Sequence, residues 1–329
     1  MIRAAYYTKD DQFTTDLEPD AFKKALDDPD GLLWVDFEAS RPEEDEPILL
    51  DIFKFHPLAV DDALRETHVP KVDDWGQFLY IVLQDLVISE TREHTLMALE
   101  LDVFLGENFL VTHHDQKLKA IEELWSTIQR DERHLINGPD HLLYRLVDEL
   151  ATGYVLLVEK LDERIDSLED EIFNHSESNI LEQIFTLKRA TLQFQRTISP
   201  EREVLNKLAR DDYPMIDEQA RVYYRDVYDH MVRLHDLTES LRDLASGSLD
   251  TYLSVINNRT NDIMKTLTII TAFFMPLSFI TGFFGMNFFA AEPPFAAWVS
   301  LPVLVGTMVM MVGVPVGMYF WMRRQGWTR

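Results

Sequence analysis

The 329 residues carry 57 acidic against 31 basic side chains, a net charge of −26, and no cysteine. An acidic excess of this size repels nucleic acid and anionic lipid and attracts cations, so a nucleic-acid partner is not expected. Without thiols there is neither a disulfide scaffold nor a thiolate metal site, and any bound metal is a hard, oxygen-liganded ion or one held by histidine.

Residues 1–135 read as a mixed α/β domain. Ile2–Tyr7, Leu32–Glu38 and Phe78–Leu86 are short runs of β-branched and aromatic residues and predict strands. Leu96–Phe104 and Asn108–Thr112 predict a hairpin across Gly106-Glu107, where glycine suits a tight turn. Helical patterns fall at Pro19–Asp27, Glu43–Phe55 and Pro57–Arg65. His113-His114-Asp115 offers metal-type side chains, but no partner follows at a ligand-like spacing, so it reads as the polar end of a strand. Polar residues follow Met1-Ile2-Arg3 within the first ten positions, and a signal peptide is not expected.

Residues 136–263 read as a stalk of long helices. Leu142, Leu143, Leu146, Val147, Leu150 and Tyr154 recur at three- and four-residue steps, and the pattern runs on to Ile172. Asn174–Ser178 is a polar turn, and a second helix covers Ile180 to about Arg210, with Pro200 as a point of kinking or restart. A third begins near Asp217 and meets no stop signal before Phe284, with Gly247 its one weak position. Unbroken, it would be about 100 Å long at 1.5 Å per residue. Its apolar stripe is too long for a lone chain to hide, which predicts an oligomer.

Residues 264–287 and 298–322 read as two membrane spans, joined by an external loop at 288–297 and followed by a basic tail at 323–329. Between Lys265 and Arg323 the only charged residue is Glu292, whereas Arg259, Lys265, Arg323 and Arg324 flank the apolar runs. The excess of basic residues at those ends predicts that both termini are cytoplasmic. The fold class expected is therefore α+β: an α/β domain, stalk helices and two C-terminal spans.

At helical spacing one face of the first span carries Asn261, Met264, Thr268, Thr271, Met275, Ser278 and Gly282, while bulky apolar residues fill the others. Small and polar faces of this kind line ordinary helix–helix contacts in membranes. A narrow pore would use the same residues, with Met264 and Met275 as apolar constrictions. Pro276 removes a backbone hydrogen bond near the middle of the span.

MPLSFITGFFGMNF, ending in Gly285-Met286-Asn287 and Phe288 just before a second and final span, resembles the CorA-type divalent-cation channels. HPLAVDD (His56–Asp62) followed by Pro70-Lys71-Val72, YRDVYDH (Tyr224–His230) and the run from Asp250 through Asn261 resemble the same family in the same order. Beyond Phe288 the chain reads Phe289-Ala290-Ala291-Glu292-Pro293-Pro294, where the magnesium branch commonly has a Met-Pro-Glu-Leu segment.

The resemblance implies a homopentamer in the cell inner membrane, with a cytoplasmic funnel and five first spans around one pore. It implies a selectivity filter at Gly285, Met286 and Asn287, although Gly and Asn also end helices without further function. Asp250 resembles the family's acidic position on the inner approach. Asp61, Asp62, Asp148 and Asp226 resemble its cytoplasmic divalent-ion sensor, which bridges neighbouring subunits; without the family they are four surface acids among many. A hydrated Mg²⁺ sheds water reluctantly, and neutral oxygens can hold it through its water shell. The implied function is passive uptake of Mg²⁺, with Co²⁺ and Ni²⁺ as further candidates, closed by internal Mg²⁺. Each 100 mV supplies about 2.3 kcal/mol per charge, and twice that for a divalent ion, so no ATP site is needed. No phosphate loop, nucleophile triad or cofactor motif points to an enzyme. The alternatives are a Zn²⁺ transporter of the related ZntB branch, coupled to protons, and a membrane-tethered coiled-coil scaffold whose spans only anchor it.

Overall fold

Among the described residues seven strands pair into one sheet: β1 (Ile2–Tyr7), β2 (Phe13–Thr15), β3 (Leu32–Glu38), β4 (Lys71–Asp74), β5 (Leu79–Ile88), β6 (Leu96–Leu105) and β7 (Phe109–His114), ordered β2-β1-β3-β7-β6-β5-β4. All neighbours are antiparallel except β3 and β7. The computed structural model describes residues 1–8, 12–15, 17–65, 68–88, 95–174, 179–286 and 300–326. The chain divides into two units, Met1–Asp250, which holds the sheet, and Thr251–Arg329.

Alternation along β3 decides what each face of the sheet buries. Leu33, Val35 and Phe37 join an apolar core with Phe22 of α1 (Pro19–Leu26), Leu49, and Ala59, Val60 and Ala63 of α3 (Pro57–Arg65). Trp34 points to the opposite face, where its ring lies 4.8 Å from that of Trp125 in α4 (Lys119–Arg130). The hairpin turn between β6 and β7 closes with the Gly106 N–H donating to the Phe109 carbonyl at 3.0 Å. A Cβ on Gly106 would lie 2.2 Å from the Phe109 ring, so any larger residue there would have to displace that ring.

The single helix expected over Glu43–Phe55 is instead two pieces: α2 (Pro42–Pro47) and a π-helical turn, Ile48–Ile52. Pro47 has no N–H to continue the ladder, and the chain widens until the Phe53 N–H reaches the Ile48 carbonyl at 3.2 Å. That widening delivers Phe55 onto Phe104, with ring centroids 4.3 Å apart.

Three long helices complete the first unit: α5 (Pro139–Asn174), α6 (Ile180–Arg210) and the N-terminal part of α7 (Glu218–Gly285). Pro200 neither ends nor restarts α6. The capping turn expected at residues 175–178 lies outside the described residues. In α7 the buried positions are Ala220, Tyr224, Val227, Met231, Leu234, Thr238, Leu241, Ala245 and Ser248, in alternating steps of four and three. A period of 3.5 is the seam of a coiled coil. The Tyr224 hydroxyl donates to the Asp140 carbonyl at 2.7 Å, and that of Ser248 donates to Glu169 Oε1 at 3.1 Å, so the seam is fastened to α5 at both ends.

β4 pairs with β5 only as far as Val82, and the β5 edge beyond it is finished by side chains. Glu201 of α6 accepts the Gln84 N–H at 2.8 Å, and the Tyr154 hydroxyl of α5 donates to the Gln84 carbonyl. Tyr154→Phe is expected to lower the unfolding free energy by about 1–2 kcal/mol in a denaturation series, because a buried carbonyl loses its donor.

The second unit contains the rest of α7 and α8 (Leu301–Arg324). Both helices are long and apolar enough to cross a membrane, with mean hydropathies of 1.9 and 2.0 over their apolar windows.

Candidate functional site

The candidate pore face of α7 is exposed throughout in the single chain: Asn261, Met264, Thr268, Thr271, Met275, Ser278 and Gly282. Half-buried positions, Ile269, Ala272, Phe273, Pro276, Leu277 and Ile280, lie on the far side of the helix at 3.6 residues per turn. The Thr268 hydroxyl donates to the Met264 carbonyl at 2.7 Å and that of Thr271 to the Leu267 carbonyl at 2.9 Å. With their protons committed to the backbone, both hydroxyls turn lone pairs outward, which suits water around a cation. Asn257, overlooked in the sequence, is connected to Asp250 and Asn261 by steps of seven and four residues, the spacing of this same face.

The helix runs through Gly285, and Met286 closes its end with an N–H to the Phe283 carbonyl at 3.4 Å. Space around Gly285 is open: a Cβ there would meet nothing within 4 Å. Asn287 and the loop at 288–297 lie outside the described residues.

The four candidate sensor acids fall at two places in the first unit. Asp61 and Asp62 ride on α3. Asp61 pairs with Arg65, which also binds Glu46 at 2.7 Å. Asp62 Oδ2 lies 2.7 Å from Lys71 Nζ and 3.6 Å from His68 Nε2, and Lys71 reaches Asp73 at 3.1 Å. Burial works against the Lys71 charge, but the bonds to Asp62 and Asp73 outweigh it and raise the ammonium pKa.

Asp148 of α5 and Asp226 of α7 flank Tyr144. Burial first, then the nearby Asp148 and Asp226 carboxylates, raise its phenol above the usual range. The Tyr144 ring also lies 4.9 Å from that of Tyr223, tilted by 31°. Among the described residues no group of three or more histidines and acids stands close enough to hold a metal ion, so one chain does not bring the four acids together.

His113 and His114 do end a strand, as expected, but both are buried in a polar network that the sequence did not disclose. His114 donates from Nε2 to Asp36 Oδ1 at 3.2 Å and from Nδ1 to the Gln116 carbonyl at 2.7 Å. Both ring nitrogens thus face oxygen acceptors, an arrangement that favours the doubly protonated ring. Burial disfavours that charge, yet Asp36 raises the His114 pKa. Asp36 in turn accepts from Thr112 at 2.6 Å and pairs with Arg3 at 2.7 Å.

The CorA-like Mg²⁺ transporter protein family model matches residues 29–324. The cobalt/magnesium transport protein CorA of Thermotoga maritima is 38% identical over 240 residues, covering 72% of this chain and 68% of that protein. The complete structure of the CorA magnesium transporter from Methanocaldococcus jannaschii superposes with a TM-score of 0.81 at 25% identity, covering 99% of this chain and 98% of that one. The zinc transport protein ZntB of Yersinia enterocolitica is less similar, 24% identical over 276 residues, with 83% of this chain and 81% of that protein covered.

Proposed function

The chain belongs to the CorA family of divalent-cation transporters, and we propose from that premise that it is a passive, potential-driven uptake channel for Mg²⁺ that also admits Co²⁺ and Ni²⁺. The observation that carries the proposal is the exposed face of α7, small, polar and rich in outward lone pairs, leading into Gly285-Met286-Asn287. Five such faces enclose one pore in the proposed homopentamer. Leu253, Met264 and Leu267 are 48%, 55% and 56% exposed in the single chain, apolar surface that assembly would cover. Asn287 and the Gly285 and Met286 backbone form the outer filter, holding the ion through its water shell, and Asp250 concentrates cations at the inner approach. Asp61, Asp62, Asp148 and Asp226 meet across subunit boundaries as the regulatory metal site. Both termini lie in the cytoplasm of an inner-membrane protein with two spans. The lower similarity to ZntB supports Mg²⁺ over Zn²⁺.

Reconstituted flux tests this reading. Liposomes containing the protein are expected to take up Mg²⁺ under a negative-inside potential without ATP, and to slow as internal Mg²⁺ rises. Asn287→Ala is expected to cut that influx several-fold. Undiminished influx removes Asn287 from the filter, and uptake of Zn²⁺ driven by a pH gradient in place of Mg²⁺ replaces the main reading.

A further inference from the structure

Alternation along β5 sends Tyr80 and Val82 into the apolar core with α1 and α3, so Asp85 and Val87 point to the opposite face. There, between β5, α4 and α5, lies a cavity of about 230 Å³. Asp85 stands at its inner end, only 6% exposed. Lys119 of α4 and Lys160 of α5 are exposed at its mouth. Val87, Ala120 and Leu157 supply apolar wall. On the α5 side Gly153 leaves the space open, since a Cβ there would meet nothing within 4 Å.

The Asp85 carboxylate takes the Leu86 N–H, and Lys119 acts on it only through space. Burial lifts its pKa to about 6, because little nearby offsets the charge. A buried carboxylate facing an open cavity is relieved by a cation that enters from outside. That cation is not a metal ion: among the described residues no three acids or histidines stand close enough to hold one. One carboxylate beside an apolar wall matches an ammonium group that carries hydrocarbon. The volume falls below the roughly 300–1,000 Å³ of drug-sized sites, so the hydrocarbon is short.

We propose that this cavity binds a small primary alkylammonium ion, with its ammonium group on Asp85 and its chain along Val87, Ala120 and Leu157. Lys119 and Lys160 are offset by Glu123 and Glu149 on the same cavity, so Asp85 decides the sign of the ligand. The site lies wholly within the first unit and does not depend on the transport reading.

Calorimetric titration of the full-length protein in detergent with n-butylammonium chloride, near neutral pH, tests the site. The parent is expected to bind it at least about tenfold more tightly than n-butanol, which has the same chain without the charge. Asp85→Asn keeps the shape of the carboxylate and is expected to weaken the ammonium ion at least about tenfold. Gly153→Leu puts a side chain into the cavity from a helix position where leucine is favoured over glycine, and is expected to abolish binding. It decides the matter alone if Asp85→Asn fails to fold. No binding by the parent, equal binding of n-butanol, or ammonium binding unchanged in either variant overturns the proposal.

Discussion

If the proposed closure by internal Mg²⁺ holds, Asp62→Asn combined with Asp226→Asn is expected to raise the internal Mg²⁺ concentration that half-stops transport by about tenfold or more, a change of about 1.4 kcal/mol in ion binding. The structure adds a competitor that turns this into a two-sided test. Within one chain Asp62 is already paired with Lys71 at 2.7 Å, whereas His230 lies no nearer than 4.0 Å to Asp226. On the proposed sensor reading, a divalent ion bound between subunits would have to draw Asp62 away from that lysine, which weakens binding, as suits a sensor that follows cellular Mg²⁺. Lys71→Met removes the competitor while keeping much of the apolar stem. It is expected to shift closure the opposite way, to lower Mg²⁺. Flux measured against internal Mg²⁺ reads both variants. If Lys71→Met moves the midpoint upward, or the paired Asp→Asn variant leaves it in place, Asp62 is not a sensor ligand.

The second large effect concerns stability. Burial drives the Glu201 carboxyl up to about 8, from the 4.5 of an ordinary glutamate. Between those values the folded protein keeps a proton that the unfolded chain has released. Folding then takes up a proton, and stability falls as pH rises, by about 1.4 kcal/mol per pH unit from this one group. Below the window both states are protonated, and above it both are ionised, with the cost fully present. Glu201→Gln can still accept the Gln84 N–H and has no charge to bury. Thermal unfolding in detergent across this range is expected to show the variant overtaking the parent as pH rises, with the gap widening until about pH 8. Parallel melting curves for parent and variant would show that Glu201 is ionised in the fold.

Much of the architecture could be read from side-chain spacing because spacing is what decides burial. The bounds of β1, β3 and α3 coincide with their predicted runs, and α6 ends at Asp211-Asp212, where polar residues break the stripe. α4 was overlooked although Ala120, Ile121, Leu124, Trp125 and Ile128 are spaced as a helix face and all buried, a signal present in the sequence. β4, Lys71–Asp74, was not legible, since a charged edge strand has little alternation to show.

The polar network is a different case. Asp45, Asp102 and His113 come from three elements far apart in the chain, and only the pairing of β6 with β7 beneath α2 makes them one group. The candidate pore face follows the opposite rule: it is a local pattern within one helix, readable by counting. The four acids proposed as a sensor stand at two places in one chain, so their meeting, which the proposed assembly requires, is not a pattern that sequence spacing can display.

The strand order also bears on how the chain is made. β4 to β7 form a meander of sequence neighbours, whereas the parallel pairing of β3 with β7 must close a loop from Leu33 to Phe109. Loop closure of that length is slow relative to hairpin formation, so the meander is expected to form before the N-terminal strands dock on it. Every strand among the described residues is nevertheless contained in residues 2–114, well before the apolar segments of α7 and α8. On a ribosome, which releases the N-terminal part first, the whole sheet can therefore be completed before any membrane-spanning segment has been synthesised.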